Sequence, residues 1–496
     1  MIPLDISPSQ QWGGNDGPWS TFTLSVGTPP QRVQALINIG YAPTWFVIDD
    51  GCGSDPPDCE RRRGGLIDTS LSETWETLGI YSLTTVDDNA DPRKKGIYGL
   101  DTVSLSSQIE NSPSLNQTLV AGLETRRYML GQVSINPKTT GLRGNSYPGF
   151  LSLLKKEMEI PSLSYAYTAG SYHRSKSVES AFASLMLGGY DSSQTVPNSV
   201  SFPFIPGGEQ EFVVTVQSIT ISSPYGQERV LIQDPFRAAL DTQQPHIWVP
   251  SNACHSFLDV LDLSWNETNN LFFPNGPRME DQDKTLIFTL SADSGTGAEI
   301  NISLPLESFD LIAESPLVEI PASYVPLQCT DDQDKYRLGR VFFQEAYFVA
   351  DYERRNFSLF QRDWETNAEQ AIIPIESAAG PKQPTTKTGK LSSERIIGII
   401  MAILVIIICG SGIIYFMLLW WKKYSKASNK SHRAELCAST EKPVEADIRA
   451  VHHEVDGHST ETVEIHGHQL PAEAEDTGQP PVFELPGSEM QHELAT

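Results

Sequence analysis

Between residue 12 and about residue 365 the chain alternates short apolar runs with polar breaks, as in Thr21 to Gly27 (TFTLSVG), Phe212 to Ile221 (FVVTVQSITI), Thr285 to Ala292 (TLIFTLSA) and Ala298 to Leu306 (AEINISLPL). Each run is rich in Val, Ile, Thr, Phe or Tyr and is bounded by Gly, Pro, Asn or Asp, which predicts strands closed by turns. The body is therefore expected to be all-β. Helical spacing is confined to two stretches, GFLSLLKKEMEI at 149 to 160 and HSFLDVLDLS at 255 to 264.

The pattern changes at residues 396 to 421, where 26 positions pass without a charge. At 1.5 Å per residue a helix of that length reaches about 39 Å against a hydrocarbon core of about 30 Å, so the segment is predicted to span a membrane once. Trp420 and Trp421 mark an interface, and Lys422, Lys423, Lys426, Lys430 and Arg433 follow it. That basic cluster places the C-terminus in the cytosol, so the protein is expected at the plasma membrane or an endomembrane in type I orientation, with residues 1 to 395 extracellular or luminal. Because MIPLDISPSQQ has no apolar run, the export signal is expected to lie outside this sequence.

Residues 366 to 395 contain few large apolar side chains and read as a stalk linker. Residues 422 to 496 form an acidic tail that cannot bury enough surface to fold alone and is expected to be disordered, available to cytosolic partners. Seven of the ten histidines fall in this tail, but with no scaffold to fix them no metal is expected, and no cofactor either. The net charge of -26 divides into -7 for residues 422 to 496 and -19 for the rest, which argues against nucleic acid as a partner. Four of the six cysteines (Cys52, Cys59, Cys254, Cys329) precede the span, an even number that permits two disulfides. Four acceptor sequons on the same side, at Asn116, Asn266, Asn301 and Asn356, are candidate glycosylation sites, whereas the sequon at Asn429 would face the cytosol.

A long-range repeat organises the β region. Ala35-Leu36-Ile37-Asn38-Ile39-Gly40 followed by Trp45-Phe46-Val47 and Cys52 is matched by Ala238-Ala239-Leu240-Asp241-Thr242-Gln243 followed by Trp248-Val249-Pro250 and Cys254. In both copies the tryptophan lies seven residues past the polar residue. Each copy is later followed by an apolar run ending in glycine, Tyr128-Met129-Leu130-Gly131 and Tyr336-Arg337-Leu338-Gly339.

This duplication resembles the pepsin-like aspartic proteases, whose two lobes each carry apolar-apolar-Asp-(Thr/Ser)-Gly, then a Trp-Val pair, then an apolar-apolar-Gly strand. Phe22 to Arg32, Leu187 to Asp191, Leu338 to Phe343 and Tyr347 to Asp351 also resemble that family, in order. The likeness to degenerate, membrane-anchored members suggests a fungal source. It implies two β-barrel lobes, 12–195 and 196–365, with a central cleft, and disulfides pairing Cys52 with Cys59 and Cys254 with Cys329.

Peptide hydrolysis in that family needs two facing carboxylates that share one proton, one acting as base and the other as acid. Asp241 stands at the second position, but the first is Asn38, whose amide neither takes a proton from water nor shares one. Ile39 stands where a hydroxyl ties the two active-site loops together, and Gln243 replaces a glycine that keeps the cleft open. Gly40 and Thr242 keep the family's residue types. The family's flap motif is absent between Trp75 and Asp101, with Tyr81 near the expected place. Asp49 and Asp50, the nearest other carboxylates in sequence, read as a solvated loop before Cys52. The resemblance thus implies a peptidase fold that binds a peptide or other extracellular ligand without cutting it, or alternatively a membrane-tethered endopeptidase with one carboxylate.

Overall fold

The computed structural model describes residues 1–378, apart from 41–42, 53–56, 84–94, 106–112, 125–129, 158, 177–180, 207–209, 277–282, 293–296 and 365–368, together with 415–418. Strands dominate, as the alternation predicts. In Phe22–Val26 the apolar Phe22, Leu24 and Val26 are buried while Thr23 and Ser25 are half-buried, the period of two that puts one face on a core.

Three sheets carry the fold. The N-terminal lobe holds a seven-stranded sheet in the order Phe22–Val26, Gln31–Asn38, Gly131–Ser134, Thr44–Val47, Ser114–Leu123, Lys95–Leu105 and Glu76–Ser82. Its first strand also pairs with Lys95–Leu105, curling the sheet back on itself. The C-terminal lobe holds an eight-stranded sheet in which Phe236–Leu240 lies between Val213–Ser222 and Arg337–Leu338.

The third sheet is shared: Leu4–Ile6, Ser184–Leu187 and Ser164–Thr168 come from the first half of the chain, and Ala346–Asp351, Asn356–Gln361 and Phe202–Pro203 from the second. Its central strands, Ser164–Thr168 and Ala346–Asp351, are buried at every position, as strands packed on both faces must be. The two helical stretches form as Phe150–Lys156 and Ser251–Leu261, the latter ending on Asp262 at φ +48°.

In each lobe the strand leading to the repeat's polar residue runs parallel to the later returning strand. Ser134 is the register partner of Asn38, and Leu338 that of Leu240, so Gly339 follows beside Asp241. This corrects the glycine match: Gly131 pairs with Ala35, and the residue equivalent to Gly339 is Ser134. At Gly339 a Cβ would lie 2.1 Å from the carbonyl oxygen of His246, so only glycine fits.

The Cys52–Cys59 and Cys254–Cys329 disulfides both form. The start of the segment read as a linker is strand rather than stalk: Ile372–Pro374 pairs with Gly189–Asp191, and Ser377 and Ala378 bond to Glu353. The segment predicted to span a membrane lies outside the described residues except for 415–418, a helical stretch with Tyr415, Phe416, Met417 and Leu418 exposed. Among the described residues no helix is long and apolar enough to cross a membrane. The acidic tail and its histidines also lie outside the described residues.

Candidate functional site

The two halves of the repeat meet where the lobes join. Asn38 ends the strand Gln31–Asn38, and Asp241 follows the strand Phe236–Leu240 directly. Both are buried, Asn38 at 0% and Asp241 at 6% exposure. Each side chain folds onto its own loop in the same way: Gly40 N–H donates to Asn38 Oδ1 at 2.8 Å, and Gln243 N–H donates to Asp241 Oδ1 at 2.8 Å. The loops are tied across the junction by Ile39 N–H donating to Thr242 Oγ1 at 3.0 Å. That tie is one-sided, because Ile39 has no hydroxyl to return it.

The remaining polar atoms of the pair are occupied by two residues that sequence reasoning missed. Arg337 Nη1 donates to Asp241 Oδ2 at 3.1 Å, from a side chain 3% exposed. Gln132 Oε1 accepts from Asn38 Nδ2 at 3.4 Å, while its Nε2 donates to the Gln243 carbonyl at 3.0 Å, bridging the lobes. Gln132 and Arg337 occupy matching places. Each is the register partner of the residue two before its lobe's polar position, Leu36 and Ala239, and each also pairs with the repeat's tryptophan, Trp45 and Trp248. A large polar residue among the buried positions of each returning strand was the available signal.

The floor is therefore internally satisfied and electrically balanced. Asp241 is offset by Arg337, and Asn38, Gln132 and Gln243 are neutral. Arg340 donates to the carbonyls of Thr242 and Gln243 at 3.0 and 2.8 Å, sits 3.5 Å from Asp16 and lies over Trp19 at 4.7 Å. Among the described residues, no hydrogen bond joins the Asn38 and Asp241 side chains, and neither contacts a second carboxylate. Gln243 brings its Nε2 within 3.7 Å of where a Cβ on Gly40 would stand, so its side chain does cross toward the opposite loop.

Other candidate residues lie elsewhere. Tyr81 is the next-to-last residue of the strand Glu76–Ser82 and packs edge-on against Tyr98 in the cluster that includes Trp45 and Val47, with Arg143 over its ring at 5.9 Å. The tip of its hairpin, 84–94, is outside the described residues. Asp49 is exposed on the turn Asp49–Gly51, so the structure offers it as surface rather than as a substitute carboxylate. Of the sequon residues, Asn116, Asn266 and Asn301 are exposed and Asn356 is half-buried. Among the described residues no group of three or more His, Cys, Asp and Glu is placed to hold a metal.

Residues 21–361 match the family model of the eukaryotic aspartyl proteases, and the chain belongs to that family. It is similar to barrierpepsin of Saccharomyces cerevisiae, 23% identical over 408 residues that make up 74% of this chain and 64% of that protein. It is also similar to aspartic proteinase yapsin-3 of the same yeast, 25% identical over 380 residues, 72% of this chain and 69% of that protein. Over 97 residues, 18% of this chain, it is 30% identical to secreted aspartic protease 7 of Candida albicans, covering 16% of that protein. The match spans less than two thirds of barrierpepsin's length.

Proposed function

We propose that this chain is a catalytically inert, membrane-anchored member of the family whose cleft binds an extracellular ligand without cutting it. The observation that carries the reading is the Arg337–Asp241 contact. The carboxylate that would have to activate water already accepts from a guanidinium and a backbone N–H, and its partner position holds an amide. A general base must take the proton from water, and the amide of Asn38 cannot. Loss of one member of a unit that acts together removes most of the acceleration, on the order of 10⁴-fold or more.

The anchoring rests on the uncharged stretch 396–421 and the basic cluster after it. An extracytosolic body agrees with its two disulfides and with the relative named as a secreted protease. The acidic tail is left to recruit cytosolic partners. A second reading, an endopeptidase, is favoured by the similarity to aspartic proteinase yapsin-3 and to secreted aspartic protease 7.

Stepwise reversion tests the site. Asn38→Asp alone is expected to give no turnover, because Arg337 still holds Asp241 and Gln132 still bridges the lobes. Adding Ile39→Thr, Gln243→Gly, Gln132→Ile and Arg337→Ile should be needed before any acid proteolysis appears. Robust turnover from Asn38→Asp by itself would contradict the role given to Arg337 and favour the endopeptidase.

A further inference from the structure

A pocket of about 270 Å³ opens at the junction of the lobes beside Gln132, walled by the loop after Asp241 and by the N-terminal residues Gly14 to Asp16. Its chemistry is specific in three respects. First, it is neutral: its only acidic and basic liners apart from His246 are Asp16 and Arg340, which face each other at 3.5 Å, and Arg340 is otherwise committed to two backbone carbonyls. Phosphates, carboxylates and ammonium groups find no unmatched charge there.

Second, it presents aromatic rings. Trp248 lines it, and Trp265 lines it while 41% exposed, with its ring tilted over Phe272 at 4.7 Å. Third, it presents side-chain amides, each pinned at one end. Gln328 Nε2 donates to the Asn270 carbonyl at 2.8 Å, Asn269 Nδ2 donates to the Leu317 carbonyl at 2.8 Å, and Gln244 Oε1 accepts from Trp248 Nε1 at 3.2 Å. The opposite ends, Gln328 Oε1, Asn269 Oδ1 and Gln244 Nε2, have no partner among the described residues. For Gln244 Nε2 that leaves a buried donor unsatisfied, a costly state that a ligand acceptor would relieve.

We propose that this pocket binds a neutral sugar residue of a glycan, stacked on the tryptophans and hydrogen-bonded through its hydroxyls to the free amide ends of Gln244, Asn269 and Gln328. A hydroxyl both donates and accepts, so it satisfies fixed acceptors and a fixed donor side by side. A flat, neutral ring with apolar C–H faces also suits indole surfaces, whose bodies are apolar. Extended peptides are held chiefly by main-chain bonds to an open strand edge, whereas the available groups here are side-chain amides. The volume lies below the ~300–1,000 Å³ of pockets for drug-sized ligands, which suits one or two rings.

This inference rests on the cleft being a non-cleaving site. The test titrates the full chain in detergent with short neutral oligosaccharides of β-linked glucose, of N-acetylglucosamine and of mannose, read by calorimetry and saturation-transfer NMR, beside an uncharged peptide. One sugar class should bind, and Trp265→Ala and Gln328→Ala should each weaken it by about tenfold, as for central contact residues. Trp265 is partly exposed, so its variant should melt like the parent and report binding alone. The assignment is overturned if no sugar binds at millimolar concentration, or if Trp265→Ala leaves binding unchanged. Peptide binding weakened by the same variants overturns the sugar and keeps the non-cleaving reading, whereas hydrolysis of the peptide that depends on Asp241 overturns both.

Discussion

Arg337 Nη1 stands 3.1 Å from Oδ2 of Asp241, with both side chains almost fully withdrawn from water. A buried pair of this kind gives little net stability, but removing one partner strands the other charge. Arg337→Leu is therefore expected to destabilise the fold by about 3–5 kcal/mol. The double variant Arg337→Leu with Asp241→Leu should recover most of that loss. Thermal unfolding of both single variants and the double checks this, and a double-variant loss equal to the sum of the single losses would show that the pair is not coupled.

A second buried carboxylate, Glu345, is expected to contribute to acid stability. Glu345 is fully buried; burial alone would raise its pKa, but hydrogen bonds from His173 and Arg174, with Arg174 Nε at 2.7 Å, hold it below the ordinary 4.5. Trp364 Nε1 also donates to it at 2.8 Å. A depressed folded-state pKa contributes stability that is present above the unfolded value and is lost as pH falls through the folded one. The melting temperature should thus fall as pH drops below 4.5, and Glu345→Gln should be less stable at pH 7 with a flatter acid limb. A parallel acid limb in that variant would place the sensitivity elsewhere.

The disulfides should differ in weight. Their sequence separations are 7 and 75, so by chain entropy Cys52–Cys59 is expected to contribute about 2.5 kcal/mol and Cys254–Cys329 about 4.5 kcal/mol. Paired Cys→Ala variants, melted side by side, should rank in that order. A costlier loss at Cys52 and Cys59 would show that local constraint at the loop after Trp45 outweighs loop length.

The proposed topology rests on the charge after residue 421. In sealed vesicles, residues 1 to 395 should resist added protease and carry glycan on exposed Asn266, while the tail is digested from the cytosolic side. Glycan on Asn429 would reverse the orientation.

The duplicated lobe was legible because its marks are local: a polar residue, then a tryptophan seven positions on, in each half. The cysteine pairs were legible through the family resemblance those marks support. The contacts that define the floor were not, since Gln132 meets Asn38 across 94 residues and Arg337 meets Asp241 across 96. Nothing in a strand's alternation says which distant group its polar member will reach. The glycine match slipped by three for a related reason: Ser134 is small enough to take the place beside Asn38, so the sequence there shows no glycine. The docked strand Ile372–Pro374 was hidden by the linker-like composition that follows it.

The most direct measurement is turnover of an unstructured protein by the purified chain from about pH 3 to about pH 6, the range in which carboxylates titrate. Asn38 and the Arg337–Asp241 contact predict no cleavage above background at any pH, identical in the parent and in Asp241→Ala. Cleavage by the parent that is sensitive to pepstatin and disappears in Asp241→Ala would contradict the account and make the chain a working tethered endopeptidase.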